Sequence, residues 1–345
     1  MPQIKLMTTK EAVARFVPDG ATICGGNFLH PVPHALYHEV IRQRKRGLTL
    51  WCQSSIEEAE QLIIAGCLSR LVTSFNYRPG GSAATSHLEK AFLAGEVDLE
   101  DYSNYTLLMC LKAGAMGLPF LPVSNVIRET DIFRVRRFLG DGKFGIVKNP
   151  FDGSEQVVVP AVNPDVCLVH CQRADKYGNI QYWGPGGNVK WAVLASKHVI
   201  ASVEQVVDTE VIFSSPELTV APSFRVDAVV HEPWGGHPGE FLGCYNADMN
   251  FRSLFFMQAN TVEGAQGYLD EWVYGVGSRR EYLQHYAERF GLESLQRLEA
   301  TTWLSAPANY GQAFVTPWDE RGFSDRFQMT KDDFERLLEE KGELI

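Results

Sequence analysis

The sequence lacks long apolar runs and has little positive charge. Nowhere do 18 apolar residues follow one another, and residues 1–5 have no apolar core of a signal peptide. Lys and Arg number 32 against 42 Asp and Glu, which gives a net charge of −10. Because nucleic-acid binding depends on basic surfaces, that function is not expected. We expect a soluble protein of the cytoplasm.

Cysteine is also scarce. Seven cysteines are scattered over 345 residues, most of them within apolar segments. An odd, scattered set does not predict a disulfide scaffold, so we expect reduced and buried thiols. Hydrophobic residues make up 45% and charged residues 21% of the chain, as in ordinary globular proteins. This balance excludes a disordered or fibrous chain.

Strand and helix patterns alternate in the first 75 residues. Thr8 and Glu11 have the spacing of a capping box and predict the start of a helix. Short apolar runs at 21–24, 48–52 and 70–75 predict strands, each followed by a segment with helical spacing. Such alternation predicts right-handed crossovers and a mainly parallel α/β sheet with helices on both faces.

The rest of the chain predicts a continuation of this domain. Residues 123–160 are rich in charge, glycine and turn signals, and we expect an elaborated excursion there. The other predicted strands are 157–162, 166–170 and 199–206; the other predicted helices are 85–93, 104–116, 189–196, 262–273, 279–290, 292–300 and 331–340. We predict one α/β domain over residues 1–275 and a helical C-terminal extension over 276–345.

Two groups of histidine and cysteine could suggest a metal. His34 and His38 are four residues apart on a predicted helix, but neither the H-E-x-x-H pattern nor a third ligand accompanies them. In a strand His170 faces away from Cys167 and Cys171. We therefore expect core packing in both cases and no metal site.

Two polar segments allow a ligand site or a merely structural role. Gln172, Asp175 and Asn179 follow a buried strand, where they could hold a ligand or close a turn. His237 lies near a carboxylate, but no Gly-x-Ser-x-Gly segment supplies a nucleophile, so a Ser/His/Asp hydrolase is not expected. The Gly25–Gly26 loop joins a strand to a helix, where open parallel sheets bind ligands, although a plain tight turn is an equal alternative.

Several short stretches, each weak by itself, follow one another in order over roughly residues 8–275. The stretches are residues 25–28 (Gly-Gly-Asn-Phe), 100–104, 113–123, 149–151, 165–184, 226–230, 236–238 and 271–273. Together they resemble the A subunit of the family I coenzyme A transferases, in the glutaconate CoA-transferase branch.

The resemblance implies an open, twisted, NagB–RpiA-like sheet and transfer of CoA between carboxylic acids. In this family a glutamate attacks the acyl-CoA, and a mixed anhydride and then a glutamyl-CoA thioester follow. That glutamate belongs to the B subunit, in a Ser-Glu-Asn-Gly-type turn that this sequence lacks; its nearest string, Val262-Glu263-Gly264, predicts a surface glutamate. The resemblance thus implies the B subunit of the transferase as partner in an α2β2 or higher assembly, a CoA thioester as substrate and no tightly bound cofactor.

The resemblance also implies site residues. Gly25, Gly26, Asn27 and Phe28 would line the acyl or pantetheine channel, and Asn104, where the family usually has Gln, would stabilise the oxyanion of the tetrahedral intermediates. From the residues alone, Asn104 is equally well explained as the N-cap of a helix over 105–116.

Two other functions stay open at this point. Related two-subunit enzymes on this scaffold open rings by hydrolysis or decarboxylate CoA thioesters, and the B subunit separates them. A non-catalytic effector-binding protein is the alternative from another class, but a DNA-reading module is not apparent in the sequence.

Overall fold

The computed structural model describes residues 3–25, 32–55, 57–76 and 86–300. The helices within these residues are α1 (Thr9–Phe16), α2 (His34–Arg42), α3 (Glu57–Ile64), α4 (His87–Leu93), α5 (Asn104–Ala115), α6 (Asp131–Arg134), α7 (Val189–Ala195), α8 (Thr209–Phe213), α9 (Met249–Gln258), α10 (Val262–Leu269), α11 (Arg279–Phe290) and α12 (Leu292–Gln296). The strands are β1 (Thr22–Gly25), β2 (Leu48–Cys52), β3 (Leu68–Thr73), β4 (Asp98–Asp101), β5 (Phe120–Pro122), β6 (Gly145–Lys148), β7 (Glu155–Pro160), β8 (Val166–Asp175), β9 (Ile180–Gln181), β10 (His198–Val207), β11 (Thr219–Ala221) and β12 (Ala228–His231).

The main sheet is parallel over most of its width. Its parallel strands are ordered β4-β3-β2-β1-β8-β10-β12, and the short β9 pairs antiparallel with the later part of β8 and with β11. A parallel neighbour requires a crossover, which the intervening helices supply. The predicted mainly parallel α/β sheet is confirmed.

Helices cover both faces of this sheet, and the core has two halves. Val166 and Leu168 of β8 pack in one half, with α1 to α4 and α9 to α11. Cys167 and Val169 of the same strand pack in the other, with α5 and α7. Successive strand side chains point to opposite faces, so β8 contributes to both. All seven cysteines are buried free thiols, as expected.

The excursion predicted near residues 123–160 is a small antiparallel sheet of order β5-β7-β6 with short helical turns. Val157 and Val159 of β7 are fully buried in the α5 half of the core. The excursion is therefore packed onto the main domain through one face of its own sheet.

The C-terminal helices pack against the same core as the main sheet. Trp272, Tyr282 and Tyr286 are fully or almost fully buried in the half of the core that holds α1 to α4. The predicted helix at 262–273 is α10 followed by a π-helical turn, Asp270–Tyr274. The division of the chain at residue 275 stays a prediction, and the helix predicted at 331–340 lies outside the described residues.

Four strands of the main sheet were not predicted: β4, β9, β11 and β12. Strand β4 has the sequence Asp-Leu-Glu-Asp, and acidic residues are rare in strands. Strand β12 is short. Among the described residues, none of the helices is both long enough and apolar enough to span a membrane.

Candidate functional site

The candidate site lies where the parallel strands β1 to β4 end. Open α/β sheets bind ligands at the carboxyl ends of their strands, because the loops leave backbone groups accessible there. Gly25 ends β1 in close contact with its neighbours. A Cβ added to it would lie 2.7 Å from the carbonyl oxygen of Leu168 and 2.8 Å from the hydroxyl of Tyr37. The position therefore requires glycine. Gly26, Asn27 and Phe28 lie outside the described residues.

Asn104 lies at the first position of α5, directly after the turn that follows β4. The N-cap of this helix is Ser103, whose hydroxyl accepts a hydrogen bond from the backbone N–H of Thr106 at 3.1 Å. The hydroxyl of Thr106 in turn accepts from the backbone N–H of Ser103 at 3.0 Å. The N-cap explanation of Asn104 is therefore wrong, and its exposed side chain is not used to begin the helix.

Ser74 and Gln53 connect Asn104 to the ends of the neighbouring strands. The hydroxyl of Ser74, one residue after β3, hydrogen-bonds the side-chain oxygen of Asn104 and the carbonyl oxygen of Gln53. The amide of Gln53, one residue after β2, donates to the backbone oxygen of Asn104 at 3.4 Å. Sequence reasoning missed both residues. Gln53 directly follows the predicted strand 48–52, and that position was an available signal. Ser74 fell inside the predicted strand 70–75, and only the end of β3 at Thr73 places it after the strand.

Two exposed aromatic side chains lie beside this polar group in the sequence. Phe75 follows Ser74 and is 39% exposed, and Tyr105 follows Asn104 and is 51% exposed. Exposed apolar surface that adjoins a polar cluster is typical of places where proteins bind ligands or other chains. These two rings suit contact with the apolar part of a ligand or with a second protein chain.

The buried thiols of β1 and β2, Cys24 and Cys52, are unsuited to act as nucleophiles. The thiol of Cys52 donates to the backbone oxygen of Ser54 at 2.6 Å and lies 3.5 Å from a carboxylate oxygen of Glu58. Burial raises the pKa of this thiol well above its usual range, and burial likewise raises the pKa of Cys24 to about 12. Both groups stay neutral thiols at physiological pH.

His34 and His38 of α2 pack in the core, as expected. Their ring centroids are 6.0 Å apart and both side chains are almost fully buried. Burial lowers the pKa of each ring well below its usual value. The charge of His38 lowers the His34 pKa further, and the charge of Arg279 lowers the His38 pKa further. In the described part of the chain, no group of three or more His, Cys, Asp or Glu residues could hold a metal ion.

His170 belongs to a buried polar network. Its ring nitrogens lie 2.9 Å from the hydroxyl of Ser202 and 2.7 Å from a carboxylate oxygen of Glu204. The hydroxyl of Tyr245 donates to the same carboxylate at 2.8 Å, and the backbone N–H of Trp234 donates to its other oxygen at 2.9 Å. The network is internal and holds the turn around Trp234 in place.

Both remaining polar segments have structural roles. Asp175 accepts from the backbone N–H groups of Tyr177 and Asn179, each at 3.0 Å, so the turn interpretation of this segment holds. His237 is fully buried between the hydroxyl of Tyr282, at 2.8 Å, and the carboxylate of Asp248, at 3.3 Å. No nucleophile accompanies this pair among the described residues that contact it.

Gln172 links β8 to the backbone of Trp183, two residues after β9. Its amide donates to the backbone oxygen of Trp183 at 2.8 Å and accepts from the backbone N–H of that residue at 3.2 Å. Glu263 is exposed in the first turn of α10, as the sequence predicted.

Known proteins align with most of this chain at about one-third identity. Residues 6–232 match the family described as Coenzyme A transferase. The chain is 34% identical over 288 residues to the A subunit of the 3-oxoadipate CoA-transferase of Pseudomonas knackmussii, covering 82% of this chain and 99% of that protein. It is 32% identical over 290 residues to the A subunit of the glutaconate CoA-transferase of Acidaminococcus fermentans, covering 81% and 91%. An uncharacterized protein of Archaeoglobus fulgidus is 33% identical over 297 residues; the match covers 86% of this chain and 65% of that protein's length.

Solved structures share the fold. The crystal structure of glutaconate coenzyme A-transferase from Acidaminococcus fermentans aligns with a TM-score of 0.77 and 28% identity, covering 89% of this chain and 98% of the other. The decarboxylase AibA/AibB aligns with a TM-score of 0.62 and 30% identity, covering 79% and 98%.

Proposed function

This chain belongs to the coenzyme A transferase family, and we propose that it is the A subunit of a heteromeric enzyme that moves CoA between carboxylic acids. The observation that carries the proposal is the position of Asn104. Its carboxamide is exposed at the start of α5, beside the ends of β2 and β3. The two transferase relatives named above are both described as the A subunit of such enzymes.

The proposed reaction needs a carboxylate that this chain does not supply. A glutamate from the B subunit would attack the thioester carbonyl, which breaks the C–S bond and leaves a mixed anhydride and the CoA thiolate. The thiolate then attacks the glutamyl carbonyl, releasing the first acid and forming the glutamyl-CoA thioester. The acceptor carboxylate reverses both steps. The sequence has no Ser-Glu-Asn-Gly turn, and Glu263 is a surface residue.

Asn104 would act on the tetrahedral intermediates of each attack. Negative charge develops on the former carbonyl oxygen only in the transition state and intermediate, so an amide N–H held nearby lowers the barrier. The first turn of α5 also stabilises negative charge on that oxygen, because its backbone N–H groups point toward the start of the helix. Gly25 and the residues after it would line the channel for the acyl or pantetheine chain.

The substrate would be the CoA thioester of a dicarboxylic or otherwise polar acid, with no tightly bound cofactor. The two relatives are named for the dicarboxylic acids 3-oxoadipate and glutaconate. A carboxylate attacks a carbonyl directly in this reaction, so neither a metal nor a redox group is required of the chain.

The experiment is to trap the thioester on the partner. The complex of this chain with the B subunit is incubated with acyl-CoA and then with borohydride, which reduces a glutamyl thioester to an alcohol. We expect a mass change at one glutamate of the partner chain, and no turnover of thioesters by this chain alone. Robust turnover by the isolated chain would contradict the proposal.

A second candidate is ring-opening hydrolysis or decarboxylation of a CoA thioester by the same two-subunit scaffold. The alignment with the decarboxylase AibA/AibB favours it, since identity with that protein is as high as with the glutaconate enzyme. Products of C–C cleavage without a borohydride-reduced glutamate would select this candidate.

A further inference from the structure

The hydroxyl of Ser74 lies between two hydrogen-bond acceptors but has only one proton. Its oxygen is within hydrogen-bond distance of the side-chain oxygen of Asn104 and of the backbone oxygen of Gln53. The Gln53 carbonyl can only accept. A hydroxyl carries one proton and two lone pairs, so Ser74 can donate fully to only one of these neighbours at a time.

Two arrangements satisfy this proton count. In the first, Ser74 donates to the Asn104 oxygen, and the NH2 group of Asn104 faces away from Ser74, toward the site. In the second, Ser74 donates to the Gln53 carbonyl and accepts from the Asn104 NH2 group, so that the carboxamide is rotated by a half turn and its oxygen faces the site. The two arrangements present a donor and an acceptor, respectively, at the same place.

The other polar groups around Asn104 do not select between these two arrangements of its carboxamide. Ser103 and Thr106 are engaged with each other in the capping box of α5. The amide of Gln53 contacts the backbone oxygen of Asn104, at 3.4 Å, and not its side chain. Ser74 is the group that contacts the carboxamide in the described structure.

We propose that Ser74 is a positioning residue that donates to the side-chain oxygen of Asn104 and so holds the NH2 group of Asn104 toward the reacting thioester. This inference rests on the proposed function, in which Asn104 stabilises an oxyanion. The oxyanion attracts the NH2 group and repels the carboxamide oxygen, so it selects the arrangement in which Ser74 donates to Asn104. Ser74 then acts only through Asn104 and does not touch substrate.

The test is a double-mutant cycle on the complex with the B subunit, with kcat and KM measured for whichever thioester reaction the wild-type complex catalyses. We expect Ser74→Ala to lower kcat about 5- to 10-fold, the effect of losing one hydrogen bond, with little change in KM. Ser74→Thr keeps the hydroxyl and should restore most of the lost kcat. In the Asn104→Ala background, Ser74→Ala should have no further effect.

The variant Asn104→Asp tests whether the reaction needs a hydrogen-bond donor or an acceptor at position 104. A carboxylate can accept the Ser74 proton but offers only oxygen and negative charge to the site. We expect Asn104→Asp to be at least as slow as Asn104→Ala. Thermal unfolding of each variant complex serves as the control for folding.

The outcomes separate the two proposals. Additive effects of Ser74→Ala and Asn104→Ala, or an Asn104→Asp variant faster than Asn104→Ala, would overturn the role of Ser74 in an enzyme that is otherwise active. A wild-type complex that leaves all CoA thioesters intact would overturn the proposed function and the role of Ser74 together.

Discussion

The ammonium group of Lys143 lies 2.7 Å from the carboxylate of Glu100, and both side chains are buried to within 1%. Lys143 also donates to the backbone oxygen of Val135 at 2.9 Å. The other carboxylate oxygen of Glu100 accepts from the backbone N–H groups of Arg137 and Leu139, at 3.0 and 3.2 Å. This ion pair fastens the excursion to β4, the strand that leads into the turn before Asn104.

Lys143→Met should destabilise the protein strongly, because it leaves the Glu100 charge buried without a counter-ion. We expect a loss of about 3–5 kcal/mol in the free energy of unfolding, measured by urea denaturation. The matched control is Arg134→Met. Arg134 pairs with Glu129 in the same excursion, but both side chains are more than half exposed, so the loss should stay under about 1 kcal/mol. Equal losses in the two variants would contradict this role of the buried pair.

Asn104→Ala should lower the activity of the complex without lowering the stability of the chain. With Ser103 capping α5, the free energy of unfolding should change little, while turnover of the complex with the B subunit should fall about 10²–10³-fold through loss of an oxyanion donor. The comparison is Ser103→Ala, which removes the cap and should cost about 1 kcal/mol of stability. Unchanged turnover of Asn104→Ala would remove Asn104 from the mechanism.

Gly25→Ala should disturb the end of β1. The new methyl group would meet the Leu168 carbonyl and the Tyr37 hydroxyl, and neither the strand nor the packed ring can move freely. We expect a loss of about 1–3 kcal/mol in the free energy of unfolding, measured by urea denaturation. Gly267→Ala is the control. Gly267 lies in α10 with nothing within 4 Å of an added Cβ, so alanine there should be neutral or stabilise by up to about 1 kcal/mol. A stable Gly25→Ala variant would show that the contact can relax.

Stability should fall as the pH is lowered below about 6.5, the ordinary pKa of histidine. Burial lowers the pKa values of His34 and His38 in the folded protein, so the unfolded chain binds more protons in this range. The stabilisation is therefore complete above pH 6.5 and declines below it, by up to about 1.4 kcal/mol per pH unit for each histidine. Urea denaturation between about pH 5 and 8 measures the slope.

The variants His34→Gln and His38→Gln should each reduce this slope, since glutamine does not titrate. The wild-type protein, measured over the same pH range, is the reference for both variants. An unaltered slope in both of the first two variants would assign the pH dependence to other groups.

Sequence reasoning reached the fold because the signals for it are local. Apolar runs of strand length alternate with helical spacing, and only a parallel sheet with crossovers satisfies that order. It missed β4, where three of four residues are acidic and only the pairing with β3 makes a strand. The polar segment at the end of β8 shows the same limit of sequence reasoning. A ligand site and a closed turn have the same sequence there, and only the hydrogen bonds from the Tyr177 and Asn179 backbone to the Asp175 carboxylate identify the turn.

The sequence by itself determined the α/β class, the free buried thiols and, through an ordered series of short stretches, the family. It also singled out Asn104, but it could not say what holds that side chain. Ser74, Gln53 and Asn104 are up to 51 residues apart and meet because three parallel strands end at one edge. Which atoms then touch depends on strand register and on the start of α5, both of which are fixed by packing across the whole sheet. Only the tertiary structure decided that Ser74 contacts the Asn104 carboxamide.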